Sequence, residues 1–389
     1  MDQGNTAFVL ISAALVLLMT PGLAFFYGGM VKAKSVVSMM MLSFGSLGLI
    51  AVLWVLYGYA IAFSNGGVST FVGIDGWFGI DTSFIGLSAQ VADAAKPAGA
   101  FPSMAFVAFQ ATFAIITVAL ISGAIADRAK FGAWMVFAGL WATVVYFPVA
   151  NWVFNFTLAD GKVVDGGWIV HDLGVIDFAG GTAVHINAGA AGLALAIVLG
   201  KRFGFSKGIT QPHNVPLTLL GVALLWFGWF GFNAGSELAA DGIASIAFIN
   251  TLAAPAAAML GWLIVEKIKH GKATSIGAGS GAVAGLVAIT PACASLDPIW
   301  AMVLGVIAGA LCALAIDLKF ALGFDDSLDV VGIHLVGGIV GTLFIGIFGN
   351  GVGAAFGFGW HQFAMQALGA GAVLVYSFVL ALIIGLAVE

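Results

Sequence analysis

Long apolar segments separated by short polar connections dominate the chain. A helix needs about 20 apolar residues to cross the hydrocarbon core of a bilayer, and eleven such segments follow one another. They lie at residues 6–30, 35–63, 101–126, 131–154, 177–200, 215–236, 242–265, 273–293, 298–318, 329–350 and 362–388. Alternating units of about ten residues, typical of a membrane β-barrel, are absent. The pattern predicts an all-α membrane protein with eleven transmembrane helices, here numbered spans 1 to 11.

The basic residues predict how these spans are oriented. Eleven of the 13 Lys and Arg residues follow odd-numbered spans, and two follow even-numbered spans. The larger group is Lys32, Lys34, Arg128, Lys130, Lys201, Arg202, Lys207, Lys267, Lys269, Lys272 and Lys319, and the smaller is Lys96 and Lys162. Because cytoplasmic connections carry the excess of positive charge, we expect the N-terminus outside and the C-terminus inside.

The odd number of spans predicts an internal repeat. Spans 1–5 (about 6–200) and spans 6–10 (about 215–350) would then have opposite orientations, as in inverted-repeat transporters. Asp177 and His185 in span 5 are echoed by Asp329 and His334 in span 10, with small residues after each His. We therefore expect a single domain over residues 1–389, built as a five-plus-five repeat with span 11 added.

Composition excludes several classes of protein. Charged residues make up 8% of the chain and hydrophobic residues 61%, whereas soluble domains carry about 25% charged residues. The chain shows no basic patch of the kind that binds nucleic acid. Cys293 and Cys312 fit no metal motif and are expected as free, buried thiols. The first apolar run lacks a basic start and a cleavage site, so we interpret it as span 1.

Two histidines lie inside apolar spans, which makes them candidates for function. His185 is eight residues beyond Asp177, about 12 Å into span 5, and His334 is five residues beyond Asp329, about 8 Å into span 10. The two approach the middle of the membrane from opposite sides. They could share or pass a proton, or form a static polar pair. The other four histidines fall in connections.

Aromatic residues line two helix faces that are expected near the outer side. Phe109 and Phe113 are four residues apart in span 3, and Trp229, Phe232 and Ser236 share one face of span 6. Such aromatic residues usually pack in the core or face lipid. A serine hydroxyl beside aromatic faces also suits a small cation that loses its water.

The aspartates have a simpler interpretation alongside a functional one. Asp177 could cap the first turn of span 5, attract cations to the outer mouth, or do both. Asp325, Asp326 and Asp329 precede span 10, where we expect capping and surface roles.

Together these segments resemble the ammonium transporter family, in the methylammonium permease branch of the ammonium/Rh superfamily. The matching stretches include PGLAFFYGG at 21–29, AFQATF at 108–113, DFAGGTAVHIN at 177–187, GWFGFNAGS at 228–236, ITPAC at 289–293 and the segment 325–338. They occur in the family's order over nearly the whole chain.

The resemblance implies a homotrimer of eleven-helix subunits in the plasma (inner) membrane, each with its own pore and without a cofactor. An outer ammonium site would comprise Phe109, Phe113 and Ser236, with Trp229 nearby. The Phe113 ring over the Phe232 ring would form the gate. The same resemblance makes His185 and His334 the pore histidines and Asp177 the partly structural, partly electrostatic aspartate. Methylammonium would serve as a substrate analogue.

Two features depart from the family pattern. The family's usual vestibule tryptophan is replaced by Phe154, and the connection 155–176 offers Trp168 as a substitute. The chain also stops at Glu389, without the cytoplasmic tail that couples subunits and contacts a PII-type signalling protein. That leaves a PII-type partner in doubt.

The resemblance implies a transport mechanism. The protein would bind NH4+, remove its proton and pass NH3, while K+ has no proton to lose. Transport is electrogenic if the proton follows, and this is the expected mode. The alternatives are an electroneutral, Rh-like ammonia channel and an ammonium sensor on the same fold. A membrane enzyme that uses the two histidines would lack a nucleophile or metal set.

Overall fold

The computed structural model describes residues 1–66, 68–94, 100–159, 162–205 and 211–389. Lys96 and Lys207 lie outside these residues. The helices are α1 (Gln3–Met30), α2 (Val36–Leu53), α3 (Tyr59–Ala62), α4 (Ser88–Ala94), α5 (Ser103–Ile121), α6 (Phe131–Trp141), α7 (Phe147–Phe154), α8 (Asn187–Val198), α9 (Val215–Ala234), α10 (Gly242–His270), α11 (Ser275–Ile289), α12 (Pro298–Ala315), α13 (Leu318–Leu322), α14 (Val336–Phe348) and α15 (His361–Val388).

Several of these helices continue into tighter or wider turns, and the described residues then contain ten helical segments long and apolar enough to cross a membrane. The ten are Gln3–Met30, Ala33–Ala62, Ser103–Ile125, Phe131–Phe154, Gly181–Val198, Val215–Glu237, Gly242–His270, Pro298–Leu322, Val331–Phe348 and His361–Val388. The residues predicted as span 8 form α11, a shorter apolar helix. It ends at Ile289, just before Pro291, which has no N–H with which to continue the helix. The chain is therefore a mostly helical, multi-pass membrane protein.

Among the described residues, four segments within or at the start of the membrane-spanning helices have π-helical geometry, in which the hydrogen bond reaches one residue further than in an α-helix. They are Trp54–Gly58, Ala142–Tyr146, Gly181–Ile186 and Val331–Leu335. Such wide turns occur often at functional sites. Two of the four contain the histidines singled out from the sequence.

Within the described residues, two short hairpins lie in connections between the membrane helices. Strands β1 (Phe71–Ile74) and β2 (Phe78–Asp81) pair antiparallel, with Phe71 opposite Asp81. Strands β3 (Phe156–Ala159) and β4 (Lys162–Gly166) also pair antiparallel, with an irregularity between Thr157 and Leu158. Both hairpins follow a membrane helix pair, so the fold is helical in its spanning part and carries small sheets outside it.

Close helix packing organises the interior. A Cβ atom on Gly221 of α9 would lie 2.2 Å from the backbone nitrogen of Phe26 in α1, and one on Gly309 of α12 would lie 2.1 Å from the carbonyl oxygen of Ala258 in α10. Only glycine allows the backbones to come this close. Cys293 and Cys312 are free and buried, as predicted.

Candidate functional site

The two intramembrane histidines meet in the core. His185 lies in the π-helical segment Gly181–Ile186 and His334 in the segment Val331–Leu335. Their Nδ1 atoms are 3.2 Å apart, and the residues are 1% and 2% exposed. A hydrogen bond between two Nδ1 atoms needs a proton on one of them and a lone pair on the other. For two neutral rings, one Nε2 is then an acceptor and the other is a donor.

A column of aromatic rings continues from this pair. The indole of Trp229 stacks on the His185 ring with centroids 5.5 Å apart, and the Phe232 ring lies 6.2 Å from His185. Phe232 in turn stacks on Phe113 at 4.1 Å, with the ring planes 20° apart. Phe109 follows at 4.9 Å from Phe113. The structure thus brings the aromatic residues of spans 3 and 6 and the two histidines into one buried column.

Ser236 sits beyond Phe232 on the same helix and is half-buried. Its hydroxyl donates a hydrogen bond to the Phe232 carbonyl oxygen at 2.8 Å. The lone pairs of the serine oxygen remain available to accept a hydrogen bond. The Trp229 indole is held by a 2.9 Å hydrogen bond from Nε1 to Thr290 Oγ1. Thr290 lies in the ITPAC stretch at 289–293, where no site residue was predicted.

The two candidate vestibule rings lie in different surroundings. The Phe154 ring is 6.2 Å from Phe113, in an edge-on arrangement. Trp168 instead stacks on Trp77 at 4.7 Å, with nearly parallel planes, and packs 5.6 Å from Trp152. Trp77 comes from the turn between β1 and β2, which the apolar pattern did not predict. Phe154 therefore adjoins the column, and Trp168 belongs to a separate tryptophan cluster.

Asp177 caps the π-helical segment that holds His185. One carboxylate oxygen accepts from the N–H groups of Gly180 and Gly181 at 2.8 and 2.6 Å. The other accepts from the Thr182 N–H at 2.8 Å, from the Ala183 N–H at 3.2 Å, and from the Thr182 hydroxyl. These contacts correspond to the capping role, because they satisfy the free N–H groups that every helix start presents.

The matching cap at the second histidine is Asp326. Asp326 precedes His334 by eight residues, the same spacing as Asp177 and His185. It accepts from the Val330 and Val331 N–H groups at 3.1 and 2.7 Å. The sequence repeat paired Asp329 with Asp177, but Asp329 has a left-handed backbone (φ 65°) and pairs with Lys319. The residue that corresponds to Asp177 as a helix cap is therefore Asp326.

The same segment corrects the predicted surface role of these aspartates. Asp325 and Asp326 are 0% and 1% exposed. Asp325 accepts hydrogen bonds from the Arg202 guanidinium, at 2.8 Å from Nη2 and at 2.9 and 3.2 Å from Nε. Burial raises the pKa of a carboxyl group, but the Arg202 hydrogen bonds outweigh it and hold the pKa of Asp325 below its usual value. Ion pairing is what allows this carboxylate to be buried.

Asp326 has the opposite balance. Burial, reinforced by the neighbouring Asp329 carboxylate, raises the pKa of Asp326 to about 6, although Lys319 and two N–H donors favour its charged form. Within the described ranges, no group of three or more His, Cys, Asp or Glu side chains is placed to hold a metal ion.

Known proteins resemble this chain over nearly its whole length. The model of the Ammonium Transporter Family matches residues 7–389. The ammonium transporter of Mycobacterium tuberculosis is 58% identical over 99% of this chain and 84% of its own. The chain belongs to the ammonium transporter family.

Solved structures extend the likeness to the fold of the ammonium transporter family. Mep2 of Saccharomyces cerevisiae superposes with a TM-score of 0.86 at 34% identity, over 98% of this chain and 87% of its own. A structure described as "Sensor Amt Protein" superposes with a TM-score of 0.88 at 29% identity, over 99% of this chain and 92% of its own.

The Asp177 cap generates a test. Asp177→Ala leaves the N–H groups of the first turn without their acceptor, so we expect it to lower stability by about 0.5–2 kcal/mol, the usual range for a lost N-cap. Thermal unfolding in detergent measures the change. The control is Asp172→Ala, which removes an exposed carboxylate paired with His171. Equal midpoints for the two variants would contradict the capping role.

Proposed function

We propose that this ammonium transporter family member carries ammonium nitrogen across the plasma membrane. It binds NH4+ beside Phe109, Phe113 and Ser236, where NH4+ gives its proton to water, and NH3 passes along the buried column to His185 and His334. The observation that carries the proposal is the stack of aromatic rings that ends on a hydrogen-bonded pair of buried histidines.

The physical chemistry of the column favours a neutral molecule. A bare cation placed among buried Phe rings loses its hydration, and an unpaired charge in an apolar medium is very costly. Aromatic faces offset part of this cost at the entrance, where water still reaches the half-buried Ser236. NH4+ escapes the cost by releasing a proton, and K+ cannot. Selectivity against K+ therefore follows from the column itself.

The Phe113 and Phe232 rings act as the gate in this proposal. With ring centroids 4.1 Å apart, the two faces are in van der Waals contact. A molecule passes only when one of the rings swings aside, as in other gated steps. The hydrogen bond from Trp229 to Thr290 fixes the indole that stacks on His185, so the ring below the gate keeps its orientation.

The histidine pair matches the chemistry of ammonia. Ammonia both donates and accepts hydrogen bonds, and the neutral pair offers one acceptor and one donor at its two Nε2 atoms. His185 Nε2 is buried without a hydrogen-bond partner among the described residues. When the acceptor Nε2 takes up a proton, the bridging Nδ1 proton moves to the other ring and that ring releases its Nε2 proton. The pair is then neutral again, its two ends are interchanged and one proton has passed. We propose that the pair carries the proton separately from NH3, which makes uptake electrogenic.

The proposed topology has eleven spans in one domain over residues 1–389, with α11 as span 8, the N-terminus outside and the C-terminus inside. The equal eight-residue spacing of Asp177 from His185 and of Asp326 from His334 supports an inverted repeat of five plus five spans. Family membership alone supports the proposed homotrimer and a PII-type partner.

Two alternatives share this site. An electroneutral, Rh-like ammonia channel would return the proton to the outside. An ammonium sensor would use the site for binding, with flux incidental, and the likeness to "Sensor Amt Protein" at a TM-score of 0.88 keeps this second candidate in view.

One experiment separates the three. Purified protein in proteoliposomes receives an ammonium concentration jump while charge movement and internal pH are recorded together. We expect a transient inward current that protein-free liposomes lack. Internal alkalinisation without current would make the protein an ammonia channel. If protein that still binds ammonium gives neither a current nor an internal pH change, that result contradicts transport and favours the sensor.

The ring beside Phe113 generates a second prediction. Trp presents a better face to a cation than Phe, so Phe154→Trp should lower the ammonium concentration that gives half-maximal current. A gain of about 0.5–1 kcal/mol in cation–π attraction corresponds to about a two- to fivefold shift.

The matched control for that prediction is Trp168→Phe. Because Trp168 packs on Trp77 in the separate cluster, the half-maximal concentration should stay unchanged. A shift with Trp168→Phe and none with Phe154→Trp would show that the vestibule ring was assigned wrongly.

A further inference from the structure

The last helix, α15, carries a buried amide side chain whose hydrogen-bonding capacity is fully used. Gln366 is 0% exposed. Its Nε2 donates to the carbonyl oxygens of Ile176 and Thr342 at 2.8 and 3.1 Å. Its Oε1 accepts from the Ile176 N–H at 2.7 Å and from Gln362 Nε2 at 3.0 Å. A side-chain amide offers two N–H donors and two acceptor lone pairs, so every one of them is paired.

Two of these partners belong to the helices that carry the histidines. Ile176 directly precedes Asp177, which caps the helix of the first histidine. Thr342 lies in α14, eight residues beyond His334, or about 12 Å along the helix. Gln366 therefore joins the start of one histidine helix to the body of the other.

A second buried contact lies further along the same face of α15. Ser377 is 0% exposed, and its hydroxyl donates to the carbonyl oxygen of Asn187 at 2.7 Å. Asn187 stands two residues after His185. Gln366 and Ser377 are eleven residues apart, close to three full helical turns, so the two side chains lie on one face. α15 thus holds the first histidine helix both before and after the histidine.

Glycines let α15 approach that helix closely. A Cβ atom on Gly369 would lie 2.8 Å from Val175 Cγ2, and one on Gly385 would lie 2.8 Å from Leu195 Cδ2. Small residues allow membrane helices to pack at this distance. The paired polar groups add a fixed register to the packing, because any slide of α15 leaves a buried donor or acceptor without its partner.

We propose that Gln366 and Ser377 are positioning residues for transport. They act through the backbones of the two histidine helices and set the depth of His185 relative to His334. The rings meet at 3.2 Å, and a hydrogen bond is lost once its atoms lie more than about 3.5 Å apart, so small shifts separate the pair. The helix that follows the proposed repeat thereby holds the two halves in register. This inference rests on the proposed function, in which NH3 passes the pair.

The test compares two variants that remove these hydrogen bonds with a matched control on the same helix. Gln366→Met keeps about the length of the side chain without its amide, and Ser377→Ala removes one hydroxyl. The control, Tyr376→Phe, also removes one hydroxyl, which donates to the Val144 carbonyl oxygen at 2.7 Å. Val144 belongs to the segment Phe131–Phe154, which contains no histidine. Thermal unfolding in detergent shows whether each variant is folded.

In proteoliposomes, the maximal NH4+ current per folded protein should fall about tenfold in Gln366→Met and by a smaller factor in Ser377→Ala. The reason is that a misplacement of about 1 Å in a functional group costs up to about 100-fold. The ammonium concentration that gives half-maximal current should stay unchanged, because the outer site proposed at Phe109, Phe113 and Ser236 lies on other helices. Tyr376→Phe should match the parent in both quantities.

A second readout does not depend on transport. Solid-state NMR of protein with isotope-labelled histidine gives a cross-peak between the ring nitrogens of His185 and His334, and its loss in His185→Ala identifies it. The cross-peak should weaken in both variants and persist in Tyr376→Phe. A parent without current whose variants still lose the cross-peak would refute the proposed function and support the positioning role.

Ser377→Ala, the smaller change, decides the question if Gln366→Met does not fold. The proposal is overturned if the folded variants keep the cross-peak of the parent, whatever their current. It is also overturned if Tyr376→Phe weakens the cross-peak as much as Ser377→Ala does, because the effect would then not depend on contact with a histidine helix.

Discussion

The hydrogen bond between His185 and His334 is the contact on which the rest of the site depends. It joins residues 149 positions apart in sequence across 3.2 Å. Both rings project from π-helical segments. Asp177 and Asp326 cap the starts of the two helices and fix where each begins. Two caps thus set the positions of two rings about two helical turns away.

The same arrangement explains why the surroundings of the pair are apolar and tightly packed. A polar group inside a membrane needs a partner, and the partner here is another histidine whose remaining nitrogen is free for a passing molecule. Stacked Trp229 and Phe232 rings exclude water from one side of the pair. In such a medium a neutral molecule that can donate and accept hydrogen bonds is favoured over any bare ion.

The apolar pattern was sufficient for the ten membrane helices found in the described residues, because each carries a long run of apolar side chains. Helical spacing placed Phe113 and Phe232 on aromatic faces of two separate spans, and only the family resemblance combined them with the histidines. The sequence pattern failed where neighbouring residues are chemically alike. Asp325, Asp326 and Asp329 all stand close enough to cap a helix, and only their contacts distinguish the cap from the two ion-paired carboxylates.

The hairpins and the aromatic vestibule could not be predicted from the sequence for a related reason. Strands of four or five residues leave little periodicity, and the stacking of Trp77 on Trp168 joins two connections 91 residues apart. Nothing local distinguishes Trp168, with its larger ring, from Phe154, which lies beside the column. Tertiary packing decides which ring lies beside the column, and the pattern of residues along the chain does not contain that information.

The most direct test of the account compares the parent protein with His185→Ala, His334→Ala and the double variant in proteoliposomes, with NH4+ and K+ pulses applied in turn. Thermal midpoints measured alongside check that each variant is folded. The account predicts NH4+ currents without K+ currents in the parent, and loss of at least nine-tenths of the NH4+ current in the double variant (on the order of a tenfold drop, or about 1.4 kcal/mol). An undiminished, NH4+-selective current in the folded double variant would contradict it.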